Sequence, residues 1–159
     1  WICDVGKWNV RKHVEQGHDG KLALAKYLSQ AVQNIRKSYN VNATGCGTSE
    51  QFVIIMDMDN FDYWQLLSAE TVEFTLRMLG GLFPVLVRAL HSGYIINTNA
   101  AAESLINIVK PIFGSILERV DVYGNYKSAW LPKLLKRLPR DQLPPKYGGS
   151  KNVPLKVFG

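Results

Sequence analysis

Tyr94-Ile-Ile-Asn97, Val109-Lys-Pro111, the segment from Arg119 to Gly124, and Leu143-Pro-Pro-Lys-Tyr147-Gly-Gly149 succeed one another through the C-terminal half of the chain. They read as a strand, an apolar helix interrupted by proline, a second strand and a turn closed by paired glycines, with a basic helix before that turn. The helix predicted over 101–117 carries Leu105, Ile108, Val109, Ile112, Phe113 and Ile116 across a wide arc, behind the small Ala100, Ala101 and Ala102. A helix apolar this far round is either deeply buried or faces a second apolar surface. That surface is a protein core, a lipid held inside the protein, or a bilayer when the helix swings out. Asn99 is the predicted cap, and Pro111, which removes a helical hydrogen bond, should kink or end the helix near its own position.

Working outward, Phe52-Val-Ile-Ile-Met56 is a short, continuously apolar run of β-formers, as expected of a central strand covered on both faces. Ser68 can cap a helix with Val72, Leu76 and Leu79 on one face and Phe74 and Met78 on another. Gly80-Gly81 should weaken it before Leu82, Phe83, Leu86 and Leu90 resume the stripe. Upstream, Leu22, Ala25, Leu28, Val32, Ile35 and Tyr39 recur at steps of three and four, one face of a helix over 19–39. Residues 40–49, rich in Asn, Gly, Thr and Ser, read as a loop. Val120-Asp-Val122 is a further strand, 130–138 a final helix, and the opening Trp1-Ile-Cys-Asp-Val5 looks like mid-strand, as if a segment preceded it. Strands alternating with helices predict an α/β fold with a mostly parallel sheet.

At 159 residues the chain is one domain with room for a real core. No uninterrupted apolar run approaches the roughly 18 residues of a spanning helix, and no signal-peptide pattern opens the chain. The formal net charge of +6 calls for an acidic partner, anionic lipid or nucleic acid. The charge is spread over several helices without a nucleic-acid motif, so phospholipid headgroups are the better match. Cys3 and Cys46 allow at most one bridge, show no metal spacing, and read as reduced thiols.

Asp57-Met-Asp59, directly after the apolar strand, is the sharpest catalytic candidate, because α/β enzymes place chemistry at the C-terminal ends of parallel strands. The tripeptide resembles that of haloacid-dehalogenase-like phosphotransferases, with Asp57 as nucleophile and Asp59 as acid. That motif needs a Thr or Val two residues after the second Asp, whereas Phe61 follows Asn60 here. No downstream lysine and acidic pair completes a magnesium site. The plainer reading is a pair of strand-end carboxylates capping the turn Asn60-Phe-Asp62. His13, His18 and His91 are far apart and lack a companion nucleophile motif. Neither a metal site nor a cofactor is expected. On the last helix, Lys133, Lys136 and Arg137 lie opposite Trp130, Leu131, Leu134, Leu135 and Leu138, either as a membrane-facing basic stripe or as a solvated face.

The order Phe83-Pro84, Tyr94-Ile-Ile-Asn97, Ile108-Val-Lys-Pro111, a strand ending in Gly124, and Leu143-Pro-Pro-Lys-Tyr-Gly-Gly149 resembles the CRAL-TRIO lipid-binding family. That family includes phosphatidylinositol and α-tocopherol transfer proteins. The resemblance spans 1–149 and leaves 150–159 as an extension or linker; a helical lobe would precede it, and some relatives carry a GOLD domain after it. It implies a sheet floor and helical walls around one apolar pocket, with the helix over 101–117 as a lid that opens at a membrane. The expected ligand wall comprises Phe52, Ile54, Met56, Val72, Leu76, Leu79, Phe83, Tyr94, Ile96, Leu105, Ile108, Val109, Ile112, Phe113, Leu117 and Arg119. Docking would add Lys133, Lys136 and Arg137. The implied protein is a cytoplasmic, peripheral, non-enzymatic carrier of a hydrophobic lipid, with transient membrane contact and no nucleic-acid partner.

Phosphatidylcholine-binding members place small hydroxyl residues where this chain has Phe52 and Ile54. Phosphoinositide-binding members place a Glu where Val85 stands and a Lys where Arg119 stands, and Arg is not equivalent to Lys at a fitted phosphate. An unpartnered buried headgroup costs a few kcal/mol, while each buried methylene contributes about 0.8 kcal/mol. The expected ligand is therefore largely apolar: a tocopherol, retinoid, sterol precursor or acyl chain. The alternatives are the Asp57/Asp59 phosphotransferase and a regulatory module that senses phosphoinositide.

Overall fold

The computed structural model describes residues 1–40 and 51–152. Four strands, β1 (Ile2–Cys3), β2 (Phe52–Asp57), β3 (Leu90–Thr98) and β4 (Val120–Gly124), form one sheet in the order β1-β2-β3-β4. Every pairing is parallel, with Ile2 beside Ile55, Ile55 beside Tyr94, and Tyr94 beside Asp121. The helices are α1 (Val10–Glu15), α2 (Gly17–Asn40), α3 (Ala69–Ala89), α4 (Ala100–Leu117) and α5 (Lys127–Arg137). The expected α/β class and parallel sheet are thus observed. The loop expected after α2, and Cys46 within it, lie outside the described residues, as do residues 153–159; Cys3 is a free, half-buried thiol.

Alternation along β2 and β3 sends successive side chains to opposite sides and so builds three layers. Ile55, Tyr94 and Ile96 pack under α5, against Trp130 and Leu134, with Leu143 and Tyr147 closing the same core. Phe52 on the other side meets Ala89, Leu90, Phe113 and Ile116, joined by Ile54, Leu79, Phe83, Val109, Leu117 and Val120. Ile95 continues that side with Met58, Phe61, Ala101 and Ala102, and with Met56 and Leu105 at the margin. One face of the floor thus belongs to α5, and the other to α3 and α4.

The expected caps are in place. Ser68 accepts from the Thr71 N–H at the head of α3, and Asn99 Oδ1 accepts from Ala102 N (2.9 Å) at the head of α4. Gly80-Gly81, expected to weaken α3, does not interrupt it: the helix, which also carries Pro84, is continuous to Ala89, with Phe83, Val85 and Leu86 packed against the Phe52 cluster. Pro111 does not end α4 either; six further residues remain helical, because buried Phe113 and Ile116 anchor the turns beyond it. A proline forfeits one helical bond, and tertiary burial outweighs that loss here. Helix α1 was not foreseen: only Val14 of its six residues is buried, too little to impress a period on the sequence.

Candidate functional site

Most of the expected ligand wall converges on the α3–α4 side. Phe52, Ile54 and Met56 line the floor, Leu79 and Phe83 descend from α3, and Leu105, Val109, Phe113 and Leu117 descend from α4. The Phe83 and Phe113 rings meet edge-on, 5.6 Å between centroids, and join the two helices over the sheet. Val72 and Leu76 lie half-buried nearer the start of α3. Val85, at the position where an acid would stand, packs into the apolar cluster. Ile108 and Ile112 point outward instead, 37% and 45% exposed, so they form the outer stripe of α4 rather than its inner wall.

Three other members leave that wall. Tyr94 and Ile96 are fully buried on the α5 face, because alternation in β3 turns them away from Ile95. Arg119 is exposed, and its Nη1 donates to the carbonyls of Val87 (3.0 Å) and Leu90 (3.2 Å), capping the C-terminal end of α3. It borders a polar cavity of 490 Å³ shared with Tyr94, Ser92, Asp121 and Arg137. The basic residues of α5 are also displaced from the expected docking surface. Lys133, Lys136 and Arg137 are exposed, but α5 covers the sheet face opposite α4. Arg137 further reaches Asp121 Oδ2 at 3.4 Å. These side chains therefore do not share one surface with Ile108 and Ile112.

At the C-terminal ends of the strands the structure assembles a polar clasp that the sequence did not announce. Asp57 is only 1% exposed, and both of its oxygens are engaged. Oδ1 accepts from Asn97 Nδ2 (2.8 Å) and Asp59 N (3.1 Å); Oδ2 accepts from the Tyr147 hydroxyl (2.9 Å) and Lys146 Nζ (2.6 Å). The same hydroxyl lies 3.0 Å from Asp4 Oδ1, so its single proton serves two carboxylates, with Lys146 also near Asp4 at 3.5 Å. Asn97 occupies the left-handed region at φ 57°, which asparagine tolerates, and its Oδ1 accepts from Trp130 Nε1 at 3.2 Å. The turn Pro145–Tyr147 that delivers Lys146 and Tyr147 ends on Gly148 at φ 76°. A Cβ on Gly149 would fall 1.9 Å from the Leu143 carbonyl oxygen, which is why two glycines follow the tyrosine.

Burial alone would raise the Asp57 carboxyl, but Lys146, Asn97, the Asp59 N–H and Tyr147 outweigh it and hold the group below its ordinary value. Burial, then Asp57 beside it, pushes the Tyr147 phenol far up, so it remains a hydrogen-bond donor. Burial opposes the charge of Lys146 as well, yet Asp57 and Asp4 raise its pKa on balance. A carboxylate this enclosed has no free oxygen to direct at a phosphoryl group. The strand-end capping role fits Asp57, whose Oδ1 accepts from the Asp59 N–H. The residues missed in the sequence are Asp4, Asn97, Lys146, Tyr147 and Trp130 as a group, and the one legible signal was the pairing of a strand-end Asp57 with Tyr147-Gly-Gly.

The domain is thus a parallel floor carrying two apolar helices on one side and clasped at its strand ends by a distant tyrosine. The chain belongs to the CRAL/TRIO domain family, whose model matches residues 1–149. Lipid binding and transfer, without covalent chemistry, are the general business of that family. No curated protein matches the chain.

Proposed function

We propose that the protein takes up one small, largely apolar lipid between the sheet and helices α3 and α4, and carries it between membranes with α4 as the lid. The observation that carries this reading is the chemistry of the α3–α4 side. Phe52, Ile54 and Val85 are all engaged in apolar packing, where a phospholipid headgroup would need hydroxyl or charged partners. Arg119, the one charge expected there, is spent on the Val87 and Leu90 carbonyls. Unpaired headgroup atoms would lose several kcal/mol on such a wall, whereas an acyl, prenyl or ring system gains about 25 cal/mol per Å² buried.

Helix α4, with a mean hydropathy of 1.3 over 18 residues, is by length and composition apolar enough to cross a membrane. Its inner side packs on the floor, and Glu103 and Lys110 interrupt its outer side, so we read it as a lid that touches the bilayer rather than a span. Ile108 and Ile112 make that contact, and the basic stripe of α5 faces away from it.

Lipid extraction and native mass spectrometry of the purified protein test the reading. One co-purifying apolar molecule per chain is the expected result, together with transfer of that molecule between vesicles. A chain that binds no apolar lipid, or that binds it and never releases it to vesicles, ends the carrier assignment.

A further inference from the structure

We propose that the turn over residues 62–67 is a membrane-inserting wedge that enters the bilayer interface beside α4. This deepens the carrier reading above and rests on it for the identity of the occupant, since a lipid carrier must meet a bilayer.

The turn is a single helical turn of 3-10 type, Tyr63–Gln65, placed between β2 and α3. It presents Tyr63, Trp64 and Leu67 together at 49%, 54% and 70% exposure, large apolar groups that a solvated loop has no need to display. The Tyr63 hydroxyl lies 3.1 Å from the Ala100 carbonyl and 3.3 Å from Ser104 Oγ, on the first turn of α4. Ser104, Ile108 and Ile112 succeed one another at steps of four, so the aromatic turn continues the outer stripe of the lid helix.

Four backbone N–H groups of the turn are already paired inside the protein, which favours a lipid interface over a wet protein contact. Trp64 N donates to Asp62 Oδ1 (2.9 Å), Gln65 N to the Asp62 carbonyl (3.2 Å), and Leu66 N to the Tyr63 carbonyl (2.8 Å). The Trp64 carbonyl accepts from Arg11 Nη1 at 2.9 Å, and Leu67 N donates to the Tyr63 carbonyl at 3.2 Å. These four paired N–H groups lower the cost of leaving water at the bilayer interface, where the remaining backbone groups still meet headgroups and water. Tryptophan and tyrosine rings are suited to the headgroup level, apolar in body and polar at the edge. The Arg11 guanidinium, ion-paired to Glu15 at 2.6 Å, lies 3.8 Å from the Trp64 ring centroid and fixes the ring in its outward pose. Asp62, at the base of the turn, sets the depth, since its carboxylate must stay at the aqueous edge. Tyr63 ties the wedge to the head of α4, so insertion of one bears directly on the other.

The test uses vesicles of phosphatidylcholine with brominated acyl chains. Trp130 is buried, and Trp1 and Trp8 are half-buried, so Trp64 should dominate quenching in the unaltered chain. Expected are quenching that largely disappears in Trp64→Phe, and at least about tenfold weaker vesicle partition in Leu67→Glu, the loss of one inserted leucine. Leu67→Glu should leave the melting temperature and the extracted lipid unchanged. Equal quenching in Trp64→Phe, equal partition in Leu67→Glu, or no vesicle binding by the unaltered chain overturns the wedge. Extracted lipid reports on the carrier reading separately: lipid present with partition indifferent to Leu67 removes only the wedge. Capture of a protein by the turn without quenching in vesicles assigns the patch to that partner and likewise overturns it.

Discussion

The α5 face and the α3–α4 face cover the same four strands but are closed by different forces. Under α5, an apolar core is locked at its edge by directional bonds: Asp57 is held by four donors, Tyr147 bridges to Asp4, and Trp130 is tied through Asn97. Over the other face, contact is apolar. Among the described residues, no side-chain hydrogen bond or ion pair ties residues 105–117 of α4 to the sheet, and its polar ties gather at the first turn, on Asn99 and Tyr63. A hydrogen-bonded clasp has one good geometry and breaks at once when displaced. A greasy contact degrades gradually and re-forms on any apolar partner of similar area. One sheet can thereby support a permanent side and an exchangeable side.

The largest effect should come from breaking the permanent side. Asp57→Ala leaves the Asn97 amide, the Asp59 N–H and the Tyr147 hydroxyl without their shared acceptor, and at about 1–3 kcal/mol for each stranded donor an expected loss of about 3–5 kcal/mol in chemical denaturation follows. A loss under 1 kcal/mol would mean that the two faces are held alike. On the apolar side, Phe113→Ala should cost roughly 3 kcal/mol in the same measurement and, with α4 as the proposed lid, release lipid faster. Equal lipid off-rates would separate Phe113 from the ligand.

Acid sharpens the contrast further. The Asp57 pKa is lower folded than unfolded, so its contribution is present above the unfolded value and is lost as pH falls through the folded one. Lys146, raised by Asp57 and Asp4 against burial, contributes below its unfolded value and is lost as pH rises through the folded one. The stability curve of Asp57→Asn should therefore be flatter than that of the unaltered chain below about pH 4. Parallel acid limbs in the two proteins would remove the clasp from the account. The smallest effect on stability belongs to Ile112→Ser, within about 0.5 kcal/mol for an exposed position, yet vesicle-to-vesicle transfer should slow. Unchanged transfer would take the outer stripe of α4 out of membrane contact.

The exchangeable side was the more legible of the two in the sequence. Its residues announce themselves by period: Phe52 and Ile54 in a β-run, Leu79 and Phe83 on one helical stripe, Val109 and Phe113 on another. Where the reading failed there, the failure was one of facing. Tyr94 and Ile96 lie in a run of three apolar residues buried on both sides, and such a run carries no alternation to say which side each takes. Ile108 and Ile112 were swept inward because a helix apolar all round does not mark its outer face. The basic stripe of α5 was read correctly as exposed, but only topology could place it across the sheet from α4. The clasp was illegible for another reason: its members are single polar residues on five separate elements, brought together by strand ends that no local pattern encodes. Pro111 and Gly80-Gly81 show the same override in miniature, local propensity yielding to buried neighbours.

The Tyr147 hydroxyl meets Asp4 and Asp57 across 143 and 90 residues of chain. Contacts so distant cannot guide early folding, since closing such loops forfeits entropy that no local interaction returns. The β2–β3 pairing closes a shorter loop, Ile55 to Tyr94, and is expected to form before the clasp locks. Bonds made after the rate-limiting step slow unfolding far more than they speed folding. The Tyr-Gly-Gly turn should accordingly act as a kinetic seal on the native state: a chain lacking it would reach a similar compact form at a similar rate, but fall out of it sooner.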